Sequence, residues 1–179
     1  MKKTAFIFCL YYLLTGCSQK VVDTGYRVKV GDLIPEFSLP MMDGSIITNE
    51  QLKGKVVVLQ FTASWCVVCR EEMPHLEKEV WQRFKNEDFV LLGVDLKEDK
   101  EKVKKFIDQM NISYPIALDL DGSLFDSVTL PKAGVTRNIV LDKQGKIIFL
   151  TRLFEEKEFH AMIERIDQEL IKDKMAYSE

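Results

Sequence analysis

Residues 55–69 read KVVVLQFTASWCVVC, and the fold follows from the change of pattern inside that stretch. Lys55 to Phe61 is a near-continuous apolar run with β-branched residues, as expected for a strand buried on both faces. From Cys66 to about Lys85 the period changes. Met73, Leu76, Val80 and Phe84 recur at spacings of three and four, the inward stripe of a helix. Two thiols three positions apart, Cys66 and Cys69, therefore sit where a buried strand gives way to a helix. On a first helical turn that spacing brings both sulfurs to one side, near enough to bridge. Cys66 also lies by the free N–H groups and positive end of the helix dipole, which favour thiolate over thiol. Cys66 can then attack a substrate disulfide, and Cys69 can resolve the mixed disulfide.

Working outward, Phe89 to Asp95 is a second buried strand, and Glu98 to Met110 is amphipathic, with Val103, Phe106, Ile107 and Met110 on one side. Tyr114 to Leu118 reads as a third short strand and Gly122 to Val128 as a short helix. Upstream, Gly31 to Gln51 has turn chemistry (Pro35, Pro40, Asp43-Gly44) between short apolar pieces, a β-hairpin at the domain's front. Downstream, Arg137 to Asp142 and Lys146 to Thr151 flank Lys143-Gln144-Gly145, a second hairpin. Glu155 to about Asp173 closes the chain as a helix, with Phe159, Met162, Ile163, Ile166 and Leu170 inward. Alternating strands and helices followed by a hairpin and a helix predict an α/β fold. Its central mixed sheet has parallel strands, an antiparallel edge and flanking helices.

The length of 179 residues suits one domain with short appendages. With 46% apolar and 30% charged residues, the chain is not disordered, collagen-like or a multi-span membrane protein. Twenty-five Lys and Arg against 28 Asp and Glu give a net charge of −3, so there is no basic field for a nucleic-acid partner.

Met1-Lys2-Lys3 is a short basic start, and Thr4 to Leu14 is apolar but shorter than the ~20 residues a membrane-spanning helix needs. It fits a secretory signal. The run ends in Leu14-Thr15-Gly16-Cys17, which resembles a bacterial lipobox. That resemblance implies cleavage before Cys17 and its lipidation, and several acyl chains hold a protein on a membrane where one does not. The competing reading is an ordinary signal peptide with a chance cysteine. Losing Lys2 and Lys3 takes the net charge from −3 to −5. The expected layout is a signal peptide over 1–16, a lipid-anchored tether over 17–30, the working domain over 31–173 and a tail over 174–179. The domain would then face the periplasm or exterior of a bacterial envelope, where disulfides persist.

Other readings of the cysteine pair stay open on local grounds. A zinc site needs about four ligands, and neither a second CxxC nor a familiar spacing from His75 or His160 supplies them. A structural disulfide gains little from closing so short a loop. Two inert buried cysteines remain a third reading.

The stretch from Val57 to Pro74 resembles the active-site segment of thioredoxin-like proteins, and is most similar to the extracytoplasmic TlpA/ResA group of the redoxin (AhpC/TSA-related) superfamily. The resemblance extends upstream over Val30 to Leu39 and downstream over Val140 to Ile147. It implies a thioredoxin fold with an N-terminal β-hairpin and a helix-strand insertion at residues 98–118. It also implies Cys66 as nucleophile and Cys69 as resolver. The redox-active disulfide Cys66–Cys69 then serves in place of any added cofactor, and no metal is implied. By the same resemblance Trp65 packs beside the thiols and shapes the docking surface, the alternative being a core indole. Pro74 matches the proline that kinks the helix. Glu98 falls near an acidic residue that could serve in proton transfer, the alternative being a capping or solvated role. The partners implied are protein thiols or disulfides, a membrane or soluble electron donor, and the membrane itself through Cys17.

Three departures from the family pattern stand out. Thr136 occupies the position of the usual cis-proline; a non-proline cis bond costs about 2.5–4 kcal/mol, so a trans peptide is expected. Thr136-Arg137 resembles the matching segment of peroxiredoxins, where an arginine helps hold the peroxidatic thiolate. A surface cation is the alternative for Arg137. Gln60 stands where thioredoxins carry a buried Asp, and Gln cannot be a base, so deprotonation would rely on water or another acid. The preferred reading is a membrane-anchored thiol-disulfide oxidoreductase, reducing in direction. A thiol peroxidase and a metal-handling module are the alternatives.

Overall fold

The structure is a computed structural model that describes residues 25–176, so the expected signal segment, Cys17, most of the expected tether and residues 177–179 lie outside the described residues. Strands β1 (Ser38–Pro40) and β2 (Ile46–Thr48) form the front hairpin, with Leu39 opposite Ile47. A four-residue helix, α1 (Asn49–Leu52), follows directly. Its amphipathic pattern is too short to be seen in the sequence, and it is started by a capping box between Thr48 and Gln51.

The main sheet comprises β3 (Val56–Thr62), β4 (Phe89–Leu96), β5 (Ile116–Asp119), β6 (Arg137–Leu141) and β7 (Ile147–Leu150), in the order β5-β4-β3-β6-β7. The pairs β3–β4 and β4–β5 are parallel, whereas β3–β6 and β6–β7 are antiparallel. The antiparallel part is thus more than an edge: β6 pairs directly with the central strand β3. All seven residues of β3 are buried, which is why its sequence shows no alternation.

Two apolar cores flank the sheet. One holds Leu59, Phe61 and Ile139 with Leu39 of the hairpin and Phe125 of α5 (Ser123–Val128). The other gathers α2 (Val67–His75), α4 (Lys100–Met110) and α6 (Glu156–Ala176). The expected stripes are buried here, with Met73, Leu76, Val80 and Phe84 from one helical run and Phe159, Met162 and Ile166 from α6. That first run is not one α-helix. Pro74 removes the N–H that the Arg70 carbonyl would accept, and the winding loosens to a π-helix over Leu76–Trp81 before α3 (Gln82–Phe84).

Residues 25–27, which fall in the stretch expected to be tether, pack against the domain. The Leu130 N–H donates to the Gly25 carbonyl at 2.9 Å, and Arg27 N–H to Val128 O at 2.9 Å. Tyr26 is buried, and its hydroxyl donates to the Thr151 carbonyl at 2.7 Å. A buried aromatic with a satisfied hydroxyl, together with these backbone hydrogen bonds, docks a segment that composition alone reads as polar linker.

Gly93 in β4 has a packing reason. A Cβ there would run into Ile116 Cδ1 and press on Tyr114 Cε2 at 3.3 Å, where the Tyr114 hydroxyl donates to Gln60 Oε1 at 3.1 Å. Gly93→Ala is expected to destabilise the domain by about 1–3 kcal/mol through overpacking. Chemical denaturation checks this, and an unchanged midpoint would contradict the packing account.

Candidate active site

The C-terminal end of β3 delivers Ala63, Ser64 and Trp65 to the start of α2, and Cys66 is the N-cap residue, with extended backbone (φ −85°, ψ 108°). Its Sγ accepts the Cys69 N–H at 3.2 Å, one of the donors a helix start leaves unsatisfied. Cys66 and Cys69 form a disulfide with Cα atoms 5.3 Å apart. The two sulfurs are not equivalent: Cys66 is 7% exposed and Cys69 is 0% exposed. An incoming substrate sulfur can therefore meet Cys66 alone, at the end of the helix where a thiolate is best supported.

Thr136, at the end of the loop entering β6, closes the other side. Its Oγ1 lies 3.1 Å from Cys66 Sγ and 3.2 Å from Cys69 Sγ, and the residue is 3% exposed. The peptide bonds of the described residues are all trans, as expected for a Thr at this position. A cleft lined by Leu130, Pro131, Gly134, Thr136 and Leu153 opens beside it. On the opposite rim Trp65 and Val67 are 62% and 77% exposed, so the indole belongs to the surface around the disulfide and not to the core.

Arg137 is buried, which overturns the surface-cation reading. Its guanidinium lies over the Tyr26 ring, 4.5 Å from the centroid, and its Nε donates to the Gly134 carbonyl at 2.9 Å. It thereby ties the docked N-terminal segment to the Thr136 loop. Arg70 does the same for the other loop, donating to the Ser64 carbonyl at 2.8 Å and lying over Phe106 of α4.

Glu98 also differs from its sequence readings. The N-cap of α4 is Asp99, whose carboxylate accepts the Lys102 N–H at 2.9 Å. Glu98 is buried and accepts from the Ser64 N–H at 2.5 Å and the Ser64 hydroxyl at 2.9 Å, with Lys102 as its ion-pair partner. Burial alone would raise its pKa, but the hydrogen bonds from Lys102 and Ser64 outweigh that and hold it below the usual carboxylate range. A carboxylate held ionised suits gripping the Ser64 loop better than accepting and returning a proton.

Two acids escaped the sequence reading. Glu72 is 1% exposed and stands one turn beyond Cys69 on the same helix face. Burial pushes its carboxyl up to about 7 against the pull of Asn138, whose Nδ2 donates to Oε1 at 2.7 Å, while Oε2 has no hydrogen-bond partner. The signal was available: Glu72 falls between Cys69 and Leu76 on a stripe that is otherwise apolar. Asp95, at the end of β4 opposite Thr62, is also fully buried, and neither of its oxygens finds a donor. Burial first, and the neighbouring Glu98 second, push it up to about 8. Gln60 lies on the same sheet face. Glu72 thus brings a raised carboxyl from α2 to the buried polar cluster that contains Gln60 and Asn138.

Comparison with known proteins agrees with this geometry. The family model described as the AhpC/TSA family matches residues 30–150. Over 158 residues the chain is 28% identical to the thiol-disulfide oxidoreductase ResA of Bacillus thuringiensis subsp. konkukian, covering 83% of this chain and 88% of that one. Among solved structures, a candidate protein disulfide isomerase from Bacteroides thetaiotaomicron is 43% identical with a TM-score of 0.80, covering 87% of this chain and 98% of its own. A candidate thiol:disulfide interchange protein DsbE from Chlorobium tepidum is 25% identical with a TM-score of 0.69, covering 80% and 99%.

Proposed function

The chain belongs to the AhpC/TSA family and is a thiol-disulfide oxidoreductase, and from that premise we propose that it works tethered to a membrane outside the cytoplasm, reducing protein disulfides. The observation that carries the mechanism is the asymmetric disulfide at the start of α2, with Cys66 reachable and Cys69 sealed. Reduced Cys66 attacks one sulfur of a substrate disulfide, and the first substrate thiolate departs. Cys69 then attacks Cys66 Sγ, the second substrate thiol leaves, and the Cys66–Cys69 disulfide is restored. A membrane or soluble dithiol donor returns the two electrons, so the disulfide itself is the redox group and no further cofactor or metal enters.

Support for the anchor is the sequence ending in Cys17, outside the described residues. Support for the location is the same N-terminal sequence, whose basic start and apolar run fit a secretory signal. Trp65 and Val67 supply an apolar rim for the protein segment that carries the substrate disulfide.

The test mixes fully reduced protein rapidly with either a small disulfide-bonded protein or hydrogen peroxide and follows tryptophan fluorescence, which Trp65 reports from beside the site. A fast response to the protein disulfide with a slow one to peroxide is expected. Faster oxidation by peroxide would replace the oxidoreductase reading with that of a thiol peroxidase, which passes through a sulfenate on Cys66.

A further inference from the structure

We propose that Thr136 is a catalytic residue whose hydroxyl assigns the negative charge of the reduced pair to Cys66 and keeps Cys69 protonated until it is needed. The inference rests on the oxidoreductase reading above and concerns the same two sulfurs.

A hydroxyl has one proton to donate and lone pairs with which to accept. Thr136 Oγ1 lies almost equally far from both sulfurs, at 3.1 and 3.2 Å, so it can bond to either one, but its proton can serve one sulfur at a time. In the oxidised protein both partners are weak acceptors and the position of the proton matters little. Reduction changes that. Two thiols carry two protons, and the one lost to make a nucleophile can come from either sulfur.

Burial decides the direction. Cys69 is 0% exposed, whereas Cys66 is 7% exposed, caps α2 and already receives the Cys69 N–H. A charge on Cys69 would be desolvated and set deeper in the helix, whereas a charge on Cys66 meets the helix N-terminus. The chain of hydrogen bonds that satisfies every group then runs one way. The Cys69 thiol donates to Thr136 Oγ1, and the Thr136 hydroxyl donates to the Cys66 thiolate. Accepting from one sulfur polarises the hydroxyl and strengthens its donation to the other. In this step the Cys66 S–H bond breaks, its electron pair stays on sulfur and its proton goes to solvent, while the other proton is retained on Cys69.

Once Cys66 has become part of a mixed disulfide, its sulfur carries no charge and the hydroxyl loses its strong acceptor. Cys69 is then held less firmly and can give up its proton to attack Cys66. The same hydroxyl thus favours the first step and releases its hold at the second. Proline at this position would offer no hydroxyl, so the device belongs to this chain's own departure from its family.

Thr136→Val keeps the shape and removes the hydroxyl, and Thr136→Ser keeps the hydroxyl. Thiolate absorbance in the ultraviolet, titrated in the reduced protein, reads the Cys66 midpoint without any substrate. With Val the midpoint is expected to rise by about one pH unit, the size of one hydrogen bond to a charged group. Attack on a protein disulfide near neutral pH should slow by up to roughly tenfold as the thiolate fraction falls. Rates should converge with wild type above the shifted midpoint, and Ser should restore both readouts. A purely steric role would slow the reaction at every pH and leave the midpoint in place. An unshifted midpoint in both Thr136→Val and Thr136→Ala overturns the proposal. A shifted midpoint in a protein whose wild type reduces no protein disulfide overturns the oxidoreductase reading instead.

Discussion

A Cys66→Ser protein is expected to reduce no protein disulfide above the uncatalysed background, while Cys69→Ser still attacks and then stops at the mixed disulfide. The two outcomes differ because the sulfurs differ in access and in step. Cys66 is the sulfur a substrate can reach, at the helix N-terminus, and a serine hydroxyl there is neither ionised at neutral pH nor a comparable nucleophile. Without Cys66 no first bond forms. Without Cys69 the first bond forms, but nothing displaces the substrate, because Cys69 is the thiol three residues away that can reach Cys66 Sγ. Turnover assays with a disulfide-bonded protein read the first loss, and non-reducing electrophoresis or mass spectrometry reads the trapped adduct. Full turnover by Cys66→Ser would remove the mechanism, and an adduct on Cys69 in place of Cys66 would reverse the two roles.

The part of this site that was legible from sequence is the part fixed by local pattern. Lys55 to Cys69 shows a buried strand meeting a helix with a dithiol at the joint, and the structure places β3, Cys66 and α2 accordingly. The inward stripes of α2 and α6 were legible for the same reason, since a helical period is a property of neighbours in the chain. The contacts that complete the site are not local. Thr136 reaches the sulfurs across 70 residues, and Glu98 reaches Ser64 across 34. Glu98 looked like a helix-start residue because nothing in its own neighbourhood says that a loop from β3 lies against it. Tyr26 looked like linker because its partners, Thr151 and Asn138, come from the far end of the fold. Glu72 and Asp95 show a third kind of gap. Each ends or interrupts an apolar run, where an acid reads as a boundary or as solvated, and only three-dimensional packing turns it into a buried ionisable group.

Those two acids make the protein weaken as pH rises from acid to neutral. Glu72 rises from 4.5 to about 7, and Asp95 from 3.8 to about 8. A carboxyl whose folded pKa lies above its unfolded value binds its proton more tightly in the native state. Its contribution is therefore fully present below the unfolded value and is lost as pH rises through the folded one. Stability should fall from about pH 4, where the unfolded carboxyls ionise, to about pH 8, with a combined loss on the order of several kcal/mol. Glu98 works in the opposite sense: its lowered value makes its contribution present above the unfolded pKa and lost in acid. Asp95→Asn should remove much of this loss. The amide imitates the protonated acid, which can donate to the Glu98 carboxylate, and it cannot ionise. Denaturant midpoints of wild type and Asp95→Asn should lie closest at about pH 3 and draw apart up to about pH 8, with the variant the more stable at the upper end. Curves that run parallel from about pH 3 to about pH 9 would show that the Asp95 carboxyl is not raised in the folded protein. Because Glu98 also holds the Ser64 N–H beside Trp65 and Cys66, a second charge on Asp95 loads the loop that presents the nucleophile. The fall in stability should therefore be accompanied by loss of protection at the Ser64 amide, read as its exchange rate relative to the intrinsic rate at each pH, and Asp95→Asn should suppress both.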